Sequence, residues 1–300
     1  MTVLENENHE PSTVSVIGLG QLGTRLAQAF LGAGHVTTVW NRSAAKADAL
    51  VAQGAVRADT VEAALAASPL VVVCLPDYAT VEDLLGPVAD GLRGRVLVNL
   101  TSGTPQDAAA MADRAAAHGA GYLDGAAMSG TRLVGRPEAL FVFSGSRDAF
   151  GTQQEVLASL GNAVYLGTSP TLAPVYDTAL FGLVWGALAG FYHSVALVGA
   201  ADVDPTAFAA VAQGHMPFVT SLMVEHARQI EDGGFPDDDG TVEVHRAAME
   251  HLVHTSRAQG IGTDVPDLFQ SLLKRAVAGG HGQSGIASVA ATIAKGEQNV

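Results

Sequence analysis

The sequence predicts an α/β protein: a doubly wound sheet over residues 13–166, followed by an all-α region over residues 167–300. Three observations carry this expectation. Short β-rich runs alternate with alanine-rich helical stretches from Thr13 to about Leu166. A glycine-rich turn, Gly18-Leu19-Gly20-Gln21-Leu22-Gly23, lies directly between the first such run and the first helical stretch. Beyond Leu166 the strand signal stops and only helical segments follow.

Taken in order, Val14 to Ile17, Thr37 to Trp40, Leu70 to Leu75 and Val96 to Leu100 are near-continuously apolar, as parallel strands covered by helices on both faces must be. Tyr122 to Met128, Leu140 to Phe143 and Val164 to Leu166 read as further strands. Leu22 to Leu31 reads as the first helix, and Thr104-Pro105-Gln106-Asp107 marks a helix start, with an N-cap threonine, proline at the first helical position and a carboxylate in the first turn. In the second region helices are expected at Ala179 to Ala201, Pro205 to Ala212, Phe218 to Ile230, Val242 to Gln259, Pro266 to Ala278 and Ile286 to Ala294, with a loop at Glu231 to Gly240. Residues 1–12 read as a flexible tail.

Composition narrows the partners. With 48% apolar and 15% charged residues, most of the chain must pack away from water, and a formal net charge of -14 opposes nucleic acid and anionic membrane surfaces. Cys74 is the only cysteine, which excludes an intrachain disulfide and fits a reducing, cytoplasmic compartment. Ala179 to Ala201 is long and apolar enough to span a membrane, but no Lys or Arg lies between Arg147 and Arg228 to anchor it, and His193 and Ser194 fall toward its middle. Gly182, Gly186 and Gly190 recur every fourth residue and let another helix approach closely. A helix apolar on every side is too hydrophobic for one small helical domain to cover. The expectation is therefore an intertwined homodimer, each pocket joining one subunit's sheet domain to the other's helices.

The glycine turn matches G-x-G-x-x-G in its informative context, after a strand and before a helix. Gly18 permits the tight turn, Gly20 lets backbone approach a pyrophosphate, and Gly23 lets helix and strand pack closely, as at the start of a Rossmann domain. The helix N-terminus offers its N–H groups and positive dipole end to the anion. The second strand ends in Trp40-Asn41-Arg42-Ser43, with Lys46 a turn further on, and carries no Asp or Glu to accept from a ribose 2′-OH. Asn41 and Ser43 can bond phosphate oxygens, Arg42 adds a permanent planar charge, and Lys46 adds a second cation. NADPH is the expected cofactor, with Cys74 and Leu75 at the neighbouring strand end.

Gly18 to Gly23, GHVTTVWNRSAAK (Gly34 to Lys46), VLVNLTSGTP (Val96 to Pro105), DGAAMSGT (Asp124 to Thr131) and VYDTALFGLVWG (Val175 to Gly186) together resemble the imine reductases and reductive aminases. That family is similar to the β-hydroxyacid dehydrogenases and shares their Rossmann-plus-helical plan. The resemblance implies NADPH-dependent reduction of C=N bonds, with an imine, or a ketone plus an amine, as substrate. Leu22 stands where the family usually has methionine, a volume-conserving change. Near the start of the long helix the β-hydroxyacid dehydrogenases carry a catalytic lysine. Here the stretch LAPVYDTAL presents Asp177 instead. A carboxylate favours the positively charged iminium that accepts hydride, whereas a cation would oppose it. Alcohol oxidation has the reverse preference, because a carboxylate opposes the developing alkoxide.

Asp177 is thus the expected catalytic group, with Tyr176 as a fallback hydroxyl donor; the competing reading makes Asp177 a helix cap or dipole partner in the first turn. Asn99 resembles the family's asparagine near nicotinamide and substrate. Met128, Trp185, Met216 and Phe218 are candidates for the substrate wall, or ordinary core. His245, His251, His254 and Glu250 do not follow H-E-x-x-H, so no metal is expected. A β-hydroxyacid dehydrogenase and a non-catalytic NADP(H)-sensing protein are the alternatives.

Overall fold

A computed structural model of the chain describes residues 11–295; the tail expected at residues 1–12 falls almost wholly outside them. The first compact unit, up to Leu183, opens with β1 (Thr13–Ile17), α1 (Gln21–Gly32), β2 (Val36–Trp40), a short α2 (Asp48–Val51) and β3 (Val56–Arg57). It continues through α3 (Val61–Ala67), β4 (Leu70–Val73), α4 (Tyr78–Leu85), β5 (Val96–Asn99), α5 (Pro105–Ala117) and β6 (Gly121–Ala127). The remaining elements are β7 (Leu140–Gly145), α6 (Arg147–Ala158), β8 (Asn162–Gly167) and the start of α7 (Leu172–Gly199).

The eight strands form one sheet in the order β3-β2-β1-β4-β5-β6-β7-β8. Successive strand residues face opposite sides: Leu70 and Val72 join the core of Leu26, Phe30 and Phe143, while Val71 and Val73 join that of Leu65, Val81 and Met111. The chain runs from β1 outward to β3 on one side and to β4 on the other. That reversal opens a crevice at the carboxyl ends of β1 and β4.

Two features depart from the expected sheet. β3 is a two-residue edge strand, too short for any periodicity to announce it. β7 pairs antiparallel with β6, and β8 runs parallel to β7. The β6–β7 connection holds only a 3₁₀ turn at Thr131–Leu133, so it lacks the crossover helix that a parallel return needs; α6 supplies one between β7 and β8.

α7 begins earlier than its apolar run. Ser144, buried on β7, donates to the Pro170 carbonyl at 3.1 Å and accepts the Ala173 N–H at 2.9 Å, which holds the helix start. Pro174 then falls in the first turn, where its missing N–H has no intrahelical partner to lose.

The second unit, from Val184 onward, contains the rest of α7, α8 (Pro205–Asp232), α9 (Val242–Ala258), α10 (Asp264–Ala276) and α11 (Val289–Ala294). α8 replaces the two helices expected at Pro205 to Ala212 and Phe218 to Ile230, because the helix continues through Pro217. A proline removes one i→i−4 bond, and a helix this long has intact turns on either side to carry it. Gly233, at φ 68°, ends α8 in the left-handed conformation that glycine adopts without strain. Val242, Leu273 and Ala276 form a small core between α9 and α10. His193 bonds Ser256 across 3.1 Å, so one polar group of the apolar helix is satisfied within the unit.

Candidate active site

The crevice between β1 and β4 is a cleft of about 640 Å³. Its floor is the Gly18–Leu22 turn, its rim is Asn41, Arg42, Ser43 and Lys46, and its wall is Cys74 and Leu75. Gly18 has φ +97°, and a Cβ there would stand 2.2 Å from the Cys74 carbonyl oxygen. A Cβ at Gly23 would stand 1.9 Å from the Gly18 carbonyl oxygen, so Gly23 packs beneath the turn and does not line the cleft. At Gly20 a Cβ would meet nothing within 4 Å, which leaves its backbone open to a ligand. The start of α1 has no side-chain cap, and its first residues, Gln21 and Leu22, line the cleft, where a helix N-terminus suits an anion.

Asn41 does something other than the expected phosphate contact. Its Oδ1 accepts the Leu19 N–H at 2.9 Å and its Nδ2 donates to the Ser43 carbonyl at 3.1 Å, so the amide ties the glycine turn to the end of β2. The exposed Arg42, Ser43 and Lys46 remain as the polar rim. Cys74 is an inert wall: burial pushes its thiol up to about 11, against the opposing effect of the Gly23 N–H. Trp40, Pro76, Thr80 and Leu84 also line the cleft, beyond the residues that the sequence pointed to. A readable signal existed for Thr80, because Asp77 caps α4 through the Thr80 N–H and hydroxyl, both at 2.7 Å.

Beside the cleft, the loop after β5 carries a second set of groups. Leu75 donates its N–H to Thr101 Oγ1 at 3.1 Å, and the Ser102 side chain lies close enough to Asp177 to favour its anion. Partial burial raises the proton affinity of Asp177, and Ser102 opposes that rise. Asp177 is the sixth residue of α7 and no acidic residue occupies the first turn, so it is neither a cap nor a first-turn dipole partner. Tyr176 is about half exposed beside it.

Asn99 departs from expectation. It is wholly buried, its Oδ1 accepts the Thr101 N–H at 3.1 Å and its Nδ2 donates to the Tyr122 hydroxyl oxygen at 3.4 Å. It shapes the loop and presents no free surface to a ligand. Met128 packs, partly buried, against Ala126, Val142 and Ala173. Trp185, Met216 and Phe218 belong to the second unit and are exposed there. Ser102, which lies inside the VLVNLTSGTP segment but is not singled out there, is the side chain that the fold brings to Asp177.

Comparison with known proteins decides the family. Residues 13–167 match the NAD binding domain of 6-phosphogluconate dehydrogenase, and residues 169–295 match the NADPH-dependent reductive aminase-like C-terminal domain. An NADPH-dependent reductive aminase of Aspergillus oryzae is 34% identical over 277 residues, covering 90% of this chain and 92% of the relative. The chain belongs to the NADPH-dependent reductive aminase and imine reductase family. A reductive aminase from Aspergillus terreus, solved in complex with NADPH4, cyclohexanone and allyl amine, superposes with a TM-score of 0.86 at 38% identity, covering 95% of this chain and all of that one. The Streptomyces aurantiacus imine reductase gives 0.88 at 33% identity, covering 94% and 99%. In this member of the reductive aminase family, Arg42, Ser43 and Lys46 line the cleft and Asp177 stands on α7.

Proposed function

We infer that this enzyme reduces imines to amines with NADPH, and that it accepts a ketone with a small amine as well as a preformed imine. One observation carries the reading: a half-buried carboxylate, Asp177, stands on α7 against the loop that is bonded to the cofactor cleft wall. The cleft fits the cofactor, since its open Gly20 backbone and uncapped helix start suit a pyrophosphate, and Arg42, Ser43 and Lys46 suit a 2′-phosphate. When bound, NADPH supplies the hydride. Asp177 favours the protonated C=N over the neutral form and keeps a proton within reach of the nitrogen, as its raised proton affinity allows. The Ser102 hydroxyl orients the carboxyl group. Leu19 to Leu22 hold the phosphates, and Cys74 and Leu75 wall the cleft.

The enzyme also works as a homodimer in the cytoplasm, on the following grounds. α7 and α8 are each long and apolar enough to cross a membrane by length and composition, yet α8 carries Glu225, Arg228, Glu231 and Asp232 in its last turns, and His193 of α7 is bonded to Ser256. Val184, Tyr192, Val211 and Phe218 lie exposed on these helices, and a second copy of the chain would cover them. The single cysteine suits a reducing compartment.

The test is NADPH consumption with a cyclic imine and with cyclohexanone plus a primary amine, with the amine product identified by mass. Turnover of both is expected. Turnover of a 3-hydroxyacid without imine reduction would overturn the reading, as would NADPH binding without any turnover.

A further inference from the structure

Behind Asp177 lies a buried polar cluster that the role of Asp177 leaves unused. Asp124, on β6, is 2% exposed and sits opposite Asn99 of β5 in the sheet. One of its carboxylate oxygens accepts from the Tyr122 hydroxyl at 2.6 Å and also from the Tyr78 hydroxyl at the start of α4. Tyr122 in turn receives the Asn99 amide, whose other end holds the Thr101 N–H. The Tyr78 ring lies against Gly103: a Cβ at that position would stand 2.4 Å from two ring carbons. The cluster therefore touches the loop after β5 at Thr101 and at Gly103, on both sides of Ser102.

We propose that Asp124, clamped by the Tyr78 and Tyr122 hydroxyls, is a positioning residue for imine reduction that sets the reach of Ser102 to Asp177 and adds a second carboxyl group to the site. The proposal rests on Asp177 acting as inferred above. The charged and titratable groups around the cluster are Tyr78 of α4, Asp107 of α5, Tyr122 of β6 and Asp177 of α7; among the described residues no cation acts on it. Burial lifts the Asp124 carboxyl to about 7 even though both tyrosines favour its anion, and the Asp177 charge adds to the rise. Below that pH the cluster keeps its proton. Above it a second negative charge appears near Asp177 and favours the protonated form of the bound imine, the form that accepts hydride.

The pH profile of kcat on 1-pyrroline at saturating NADPH tests this in the full-length enzyme, with NADPH affinity and thermal melting measured for each variant. An inflection near pH 7 is expected in the unmodified enzyme. Asp124→Asn should abolish it while keeping NADPH affinity within about twofold. Tyr78→Phe removes a bond that favours the anion, so the inflection should move upward by about one pH unit, roughly tenfold in proton affinity. A merely structural role would lower the melting temperature of both variants and leave the inflection in place. An inflection absent from the unmodified enzyme, or unshifted in Tyr78→Phe, overturns the proposal, and the second variant keeps the test open if Asp124→Asn does not fold. Near-normal turnover in Asp177→Asn would defeat the reading of Asp177 and this proposal together, whereas an inflection that persists in Asp124→Asn defeats this proposal alone.

Discussion

The central strands of the first unit are buried on both faces, whereas the long helices of the second show their bulkiest apolar side chains to water. Val14, Val72 and Leu97 are fully buried, while Val211 is 71% exposed and Phe218 54%. A doubly wound sheet closes its own core because each strand arrives with a covering helix. α7 is apolar all round and so has no polar face to leave in solvent, unlike the amphipathic α10. The difference teaches that the sheet closes its own core within one chain. The exposed apolar side chains of the helical half instead fit the proposed second copy, each being worth about 1.5 to 3 kcal/mol when covered.

The largest effect that would sharpen this contrast concerns Asp177, where α7 meets the cofactor unit. Asp177→Asn should keep its shape and NADPH affinity yet lose roughly two to four orders of magnitude in imine turnover, the scale of a positioned acid-base group. Steady-state kinetics with a cofactor titration would check it, and near-normal turnover would move the search to Tyr176. Next comes the helical half itself. Val184→Glu places a charge on the exposed apolar face and should cost the dimer on the order of 3 kcal/mol, seen as a halved mass in light scattering. An unmodified enzyme that is a folded, active monomer at micromolar concentration would break the comparison.

Smaller effects belong to the sheet-bearing half. Arg42→Ala should weaken NADPH binding roughly tenfold to a hundredfold, the worth of a charge-assisted bond to phosphate, with little change for NADH. Equal efficiency of the unmodified enzyme with both cofactors would refute that rim assignment. Smallest is Thr104→Ala, which opens the capping box in which Thr104 and Asp107 satisfy each other's backbone N–H groups at 3.2 and 2.9 Å. A loss of about 1 kcal/mol in denaturant unfolding is expected, with the same kcat per folded enzyme.

Features carried by neighbouring residues are legible in the amino-acid sequence alone. The Gly18–Gly23 turn, the Thr104 cap, the basic segment after β2 and the apolar run of α7 each lie within a few residues, and local sterics and hydrogen bonding are enough to write them. The exchange of lysine for Asp177 is readable for the same reason, as a single change of charge at one motif position. Features that depend on distant partners are not. Asn41 and Asn99 have side chains suited to a ligand, and only the fold shows their amides engaged by the protein instead. The contact of Ser102 with Asp177 and the clamp of Tyr78 on Asp124 join residues far apart in the chain, which no spacing rule connects. The direction of β7 and the passage of α8 through Pro217 are likewise settled by pairing and by the bonds of flanking turns. Local chemistry wrote the elements and the cofactor cradle; burial and long-range hydrogen bonding decided which polar groups remain free to meet a substrate.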